Sequence, residues 1–282
     1  MIASALAGVL ICPAAETRPA SLAAHQARSE TLRSMSTKPR SWPPISVITP
    51  TYNAASTLPR LVASLRAQTD PDFEWVITDG NSIDGTLEIL RGVDDLDVRI
   101  MSQPDCGSYD ALNRGVRACS GEYYVVIGAD DFFQPDAIRN FRSNVCDASG
   151  NAVDMVASAW TSQGKLFQPR EGMGWLYGMR GVASVHSVAL LIRKKLHERF
   201  GDYSNDFRLC ADQLFVKLVL YAGGTINRCS FVSGNYSNTG ISAVNPALWF
   251  TDFFRVQMLT ESNKLLQVCL FILRLIKNYR KL

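Results

Sequence analysis

The chain has 282 residues, 47% of them hydrophobic and 20% charged, which excludes a disordered chain, a collagen-like repeat and a multi-span membrane protein and allows roughly two structural units. Twenty-nine basic against twenty-six acidic side chains leave a net charge of +3, too little for a dedicated nucleic-acid binder, so no nucleic-acid partner is expected. Seven cysteines, odd in number and without a Cys-x-x-Cys pair, exclude a zinc ribbon and a disulfide framework and fit a reducing cytoplasm.

Residues 2–15 are apolar and small, yet no basic residue precedes them as in a secretory signal, and the stretch is too short to span a bilayer. Residues 16–44 turn to Ser, Ala, Arg and Pro and read as an unfolded leader or linker; Met35, ten residues before the first strand, is expected to be the true start. The β-rich run 45–49 is ended by Pro50, and Leu58, Leu61, Val62 and Leu65 follow at helical spacing behind Ser56 and Thr57. A second unit pairs the strand 73–78 with a helix carrying Leu87, Ile89 and Leu90. A third strand, Val98–Ser102, leads into a helix over 109–119, and the fourth, 122–127, is almost wholly apolar, as the centre of a parallel sheet is. This alternation predicts an α/β, doubly wound sheet with ligands at the carboxyl ends of its strands.

Those ends carry Pro50-Thr51-Tyr52-Asn53, then Asp79-Gly80-Asn81-Ser82-Ile83-Asp84-Gly85-Thr86, then Gly128-Ala129-Asp130-Asp131. No Gly-x-Gly-x-x-Gly and no P-loop is present. An acidic pair after a buried strand holds phosphate only through a divalent cation such as Mg²⁺ or Mn²⁺.

The ordered set of PTYNA (50–54), DGNSIDGT (79–86), PDCGSYDALNRG (104–115) and GADD (128–131), with His186-Ser187, Phe200-Gly201-Asp202-Tyr203 and ADQLFVKL (211–218), resembles the family 2 glycosyltransferases, closest to bacterial enzymes of exopolysaccharide, capsule or lipopolysaccharide assembly. The resemblance covers about 200 residues and implies a GT-A fold, a Rossmann-like mixed sheet flanked by helices, and metal-dependent inverting transfer of a sugar from a nucleotide diphosphate, UDP favoured, to a glycan or lipid-linked hydroxyl. It implies Asp212 as the base, Asp130 and Asp131 as metal ligands with His186 as a further one, Asp79 on the donor's base, Thr49, Pro50 and Tyr52 as the nucleoside wall, and Asn113 and Arg114 near the donor sugar or diphosphate. The family's usual first acid of the D-x-D run is here Gly128.

Each residue also has a plainer reading: Asp79 and Asp84 as turn or cap residues, with Asp84 leaning that way, Asp212 as a helix N-terminal acid, His186 as a core histidine, Tyr109 and Trp175 as packing or acceptor-cleft residues. A nucleotidyltransferase would need a basic Gly-rich loop after the first strand, which is lacking; a non-catalytic nucleotide-sugar or glycan-binding module is the alternative that Gly128 leaves open.

Downstream, a helix over 213–221 closed by Gly223-Gly224, a strand over 225–232 and a helix over 245–260 are predicted, and the polar Gly loop 237–242 resembles the family's loop near the active site. Residues 265–276 are strongly apolar with basic flanks and suit a helix in a membrane interface or, equally, a core-packing terminal helix. The expected domains are a leader (1–44), a catalytic domain (45–243, its donor half 45–131 and acceptor half 132–243) and a helical tail (244–282), in a cytoplasmic protein peripheral on the inner face of the membrane.

Overall fold

The computed structural model describes residues 44–184, 186–237 and 245–279; the leader with Met35 and most of the loop 237–242 lie outside the described residues. β1 (Ile45–Thr51), α1 (Leu58–Arg66), β2 (Phe73–Asp79), α2 (Thr86–Arg91), β3 (Val98–Ser102), α3 (Ser108–Ala118) and β4 (Tyr123–Val126) follow one another. β1 lies between β2 and β4, parallel to both, and β3 runs parallel to β2.

The chain continues through β5 (Phe132–Phe133), α4 (Ala137–Ser143), β6 (Met155–Ser162), β7 (Lys165–Phe167), α5 (Gly174–Tyr177), β8 (Leu190–Arg193), α6 (Leu196–Phe200), α7 (Ala211–Tyr221), β9 (Ile226–Asn235), α8 (Pro246–Thr260) and α9 (Lys264–Asn278). The strands form one mixed sheet in the order β3-β2-β1-β4-β8-β6-β9-β5, with β7 on β6; β8 is antiparallel to both β4 and β6, while β9 is parallel to β6.

Strand side chains alternate between two helix-covered faces, as the period of two requires. Trp75, Ile77, Tyr123 and Val125 join Leu58, Leu61 and Leu65 of α1 and Phe141 of α4 on one face. Val76, Tyr124 and Val126 join Leu112 and Val116 of α3, Phe215 of α7 and Phe253 of α8 on the other. Burial on both faces explains why β4 shows a continuous apolar run instead of an alternating one.

The expected stop at Pro50 is not observed, because β1 runs on to Thr51. Ile48 gives its carbonyl to Ile127 on the β4 side, so Pro50, of the same parity, turns its missing N–H toward a place where β4 has already ended, and no ladder bond is lost. The α7 helix begins at Ala211, two residues earlier than predicted. The strands β5 to β8 and the α4 helix carry no clear pattern and were not expected from the sequence. The α9 helix is not core-packing in the ordinary sense: Gln267 is its buried residue, while Leu265, Ile272, Leu273 and Ile276 are exposed.

Candidate active site

Parallel β1, β2, β3 and β4 deliver their following loops to one end of the sheet. Asp79, the last residue of β2, is fully buried and accepts from Thr51 Oγ1 at 2.9 Å, Ser102 Oγ at 2.8 Å and both the N–H and the hydroxyl of Ser82. Burial alone would push its carboxyl up, but these donors outweigh it and hold the pKa below the usual carboxylate value. Asp84 binds the N–H and hydroxyl of Thr86 and the N–H of Ala55, the turn role that its sequence context suggested.

Of the expected nucleoside wall, Thr49 is buried and its hydroxyl accepts the Trp75 indole N–H at 2.9 Å. Pro50 is half-buried and Tyr52 is 68% exposed. Gly80 sits beneath Tyr52 and Asp105: a Cβ there would stand 2.6 Å from Asp105 Oδ2 and 3.2 Å from Tyr52 Cδ2, so any larger residue would displace the Asp105 carboxylate.

The α3 helix carries three side chains with different tasks. Asn113 is buried and its amide clamps the backbone of Tyr203 twice, donating to the carbonyl at 2.8 Å and accepting from the N–H at 2.9 Å. Arg114 is almost buried, and among the described residues none of its three guanidinium nitrogens makes a hydrogen bond, although Asp105 and Asp110 approach to 3.6 and 3.9 Å. A buried guanidinium with unspent donors suits an anionic ligand. Tyr109, at the start of the helix, donates its phenol O–H to Asp212 Oδ1 at 2.7 Å.

Asp212 stands in the first turn of α7, half-buried. Burial pushes its pKa up, while the Tyr109 hydroxyl and the Gln213 N–H pull it back. Both of those bonds end on Oδ1. Among the described residues Oδ2 takes no hydrogen bond, so the carboxylate is oriented by one oxygen and open to a proton at the other.

Asp131 is 1% exposed. Burial pushes its carboxyl up to about 7, opposed by the Ser237 N–H, with the neighbouring Asp130 adding to the rise. Ser237 ties the pair together, its N–H on Asp131 Oδ1 at 2.9 Å and its hydroxyl on Asp130 Oδ2 at 2.7 Å. A Cβ at Gly128 would lie 2.8 Å from Asp130 Oδ1 and 3.1 Å from Asp131 Oδ2, so glycine at this position leaves the space into which both carboxylates fold. His186 lies 3.9 Å from Asp131, and burial pushes it down to about 4, which keeps the imidazole neutral near pH 7. Among the described residues no three His, Cys, Asp or Glu side chains form a cluster that holds a metal; of the expected three ligands, Asp130 and Asp131 stand together, and His186, 3.9 Å from Asp131, does not complete a cluster with them.

Two roles go beyond the sequence. Tyr109, expected as a packing or acceptor-cleft residue, reaches Asp212 across 103 residues of chain, which no local pattern reveals, and Ser237, at the start of the loop expected near the active site, holds both acids through its N–H and its hydroxyl.

The family model for Glycosyl transferase family 2 matches residues 46–200. A "PGL/p-HBAD biosynthesis glycosyltransferase" of Mycobacterium tuberculosis is 42% identical over 177 residues, 60% of this chain and 67% of the relative. The chondroitin synthase of Escherichia coli is 39% identical over 99 residues, 34% of this chain but 14% of that protein. In fold, S. aureus TarS (residues 1–349) superimposes with a TM-score of 0.62 at 16% identity, covering 84% of this chain and 73% of TarS. The mannosyltransferase PcManGT from Pyrobaculum calidifontis gives 0.61 at 16% identity over 93% of this chain and 84% of its own. From the match of more than half its length to the family model, the chain belongs to glycosyltransferase family 2, and its mixed sheet flanked by helices is the GT-A fold.

Proposed function

We propose that the chain is an inverting transferase that moves a sugar from a nucleotide diphosphate, a UDP-sugar by preference, to a hydroxyl of a glycan or lipid-linked acceptor in cell-surface polysaccharide or glycolipid assembly. The observation that carries this reading is Asp212: a desolvated carboxylate fixed through Oδ1 and open at Oδ2 is suited to accept the acceptor's proton in a single displacement. Residues 45–131 form the donor half in this reading and 132–243 the acceptor half. Tyr52 and Pro50 flank the nucleoside, with Asp79 and Thr49 shaping the loops behind them. Arg114 offers its unspent guanidinium donors to the diphosphate, and Asn113 holds α3 in place. Neighbours in fold are described with UDP-GlcNAc and with GDP-Man and Mn²⁺, which supports a nucleotide-sugar donor and a cation here.

A divalent metal fits the acidic pair. Gly128 makes room for the two carboxylates, Asp131 is buried beside a second acid, and His186 is a neutral nitrogen donor. Asp130 and Asp131, with His186 at the edge, would hold Mg²⁺ or Mn²⁺, which supplies charge neutralisation to a leaving diphosphate. The chain acts in the cytoplasm at the inner face of the membrane, where a lipid-linked acceptor resides.

The test is a panel of UDP-, GDP- and dTDP-sugars with Mn²⁺ and candidate acceptors, with the anomeric configuration of the product read by NMR. Turnover with an inverted anomer is expected. A retained anomer overturns the single displacement, and donor binding without any transfer moves the protein to the binding-module reading.

A further inference from the structure

The α9 helix turns the usual arrangement of a surface helix inside out. Leu265, Cys269, Ile272 and Ile276 recur at i, i+4, i+7 and i+11 and therefore share one stripe. All four are exposed, as are the adjoining Leu266, Leu273 and Tyr279. The opposite stripe, which meets the protein, carries the polar Gln267 and Arg274 with the aromatic Phe271 between them. Gln267 is buried and donates to the Trp175 carbonyl at 2.9 Å, Arg274 donates to the Leu176 carbonyl at 2.6 Å and lies over the Phe253 ring, and Phe271 stacks on Phe254 between them. A helix that spends its polar side chains inward and offers its leucines and isoleucines outward is built for an apolar surrounding on its outer side.

Charge identifies that surrounding. From Ser262 to Leu282 the sequence has five basic residues, Lys264, Arg274, Lys277, Arg280 and Lys281, and no acidic one. The whole chain carries +3, so this segment holds +5 and the preceding 261 residues −2. A second copy of the chain would bring the same positive segment to the interface, whereas an anionic headgroup layer complements it. No helix among the described residues is long and apolar enough to cross a membrane, and fifteen residues extend about 22 Å, short of a hydrocarbon core of about 30 Å.

We propose that α9 lies in the plane of an anionic bilayer surface, its Leu265–Cys269–Ile272–Ile276 stripe in the acyl boundary and its exposed Lys277 at the headgroups. This deepens the peripheral location proposed above and rests on it, but it uses no part of the transfer chemistry.

The experiment is flotation of the full chain with phosphatidylcholine vesicles containing about a third phosphatidylglycerol, against pure phosphatidylcholine, without donor or acceptor. Binding to the anionic vesicles, weakened by salt, is expected. The double substitution Ile272→Glu with Ile276→Glu should lower the bound-to-free ratio at least about tenfold. Because those changes are at exposed positions, the thermal melt should be unchanged. The triple substitution Lys277→Gln, Arg280→Gln, Lys281→Gln, which leaves the stripe intact, should remove the preference for anionic vesicles. Equal or absent flotation with both vesicle types overturns the proposal. So does a concentration-dependent dimer, seen by light scattering, that the double substitution dissolves while flotation stays the same. A transferase that turns over normally yet never floats would leave the catalytic reading standing and remove this one.

Discussion

The β2 and β4 strands are separated by β1 alone, and each leads to a buried aspartate at the same end of the sheet, yet the two acids end up in opposite states. Asp79 is surrounded by donors, two hydroxyls from Thr51 and Ser102 and two groups of Ser82, and is held as a carboxylate below the usual range. Asp131, equally buried, has the Ser237 N–H on one side and the acid of Asp130 on the other, and its carboxyl rises to about 7. Burial is common to both, so the supply of hydrogen-bond donors decides which acid is held ionised and which is raised. Asp212 belongs with the second kind: burial raises it, and Tyr109 and Gln213 restrain the rise.

This contrast can be broken experimentally, and the largest effect is expected at Asp212. Asp212→Asn removes the proposed base while keeping its shape, and turnover should fall about 10²- to 10⁴-fold with donor affinity preserved in a thermal-shift titration. Unchanged turnover would remove Asp212 from the chemistry. At Asp79 the expected loss is in stability. Asp79→Ala takes the acceptor from four donor groups, the buried Thr51 hydroxyl, the half-buried N–H and hydroxyl of Ser82 and the exposed Ser102 hydroxyl, and should cost about 1 to 3 kcal/mol in urea unfolding. Since the folded pKa is depressed, the Asp79 contribution is fully present above the unfolded value and is lost as pH falls through the lower folded one. The wild-type margin over Asp79→Ala should therefore narrow only below about pH 4. A substitution that left stability alone but abolished donor binding would place Asp79 with the functional acids after all.

A cation should act on the other member of the pair. Saturating Mn²⁺ should raise the melting temperature of the wild type by several degrees, about 2 to 4 °C for each kcal/mol of linked binding in a domain of this size. Asp131→Asn should abolish that shift. An equal shift in the variant would mean that the metal binds elsewhere. The smallest effect belongs to Tyr109→Phe. Its phenol favours the charged form of Asp212, so its loss should move the acid limb of the kcat/KM profile to higher pH, with a fall in rate on that limb and little change on the plateau. A uniform drop at every pH would point to packing alone.

The first four strands were readable because they are rich in β-branched and aromatic residues and are set off by turn residues, Gly80 after β2 and Gly121 before β4. The acid pair at 130 and 131 and the acid at 212 were readable as members of an ordered motif set. What the sequence hid is what depends on contact. The β6 strand passes through Ala157, Ser158 and Ala159, whose small side chains carry no strong strand signal even though all three are buried. Two of the expected donor contacts, Thr49 and Asn113, occur where predicted along the chain but are spent on Trp75 and on the Tyr203 backbone. Whether a polar side chain at a motif position faces a ligand or a neighbour is settled by partners dozens of residues away, and spacing alone holds no record of them.

The α3 helix joins these observations into a ruler. Tyr109 touches the proposed base, Asn113 grips the segment that leads toward it, and Arg114 carries guanidinium donors that make no hydrogen bond among the described residues. All three ride on one rigid helix, and at about 1.5 Å per residue the step from Tyr109 to Arg114 is close to 7.5 Å along its axis. In the transfer proposed above, the offset between the side chain that orients the base and the guanidinium offered to the diphosphate is thus set by one helix, and sliding this single element by one residue would displace both together.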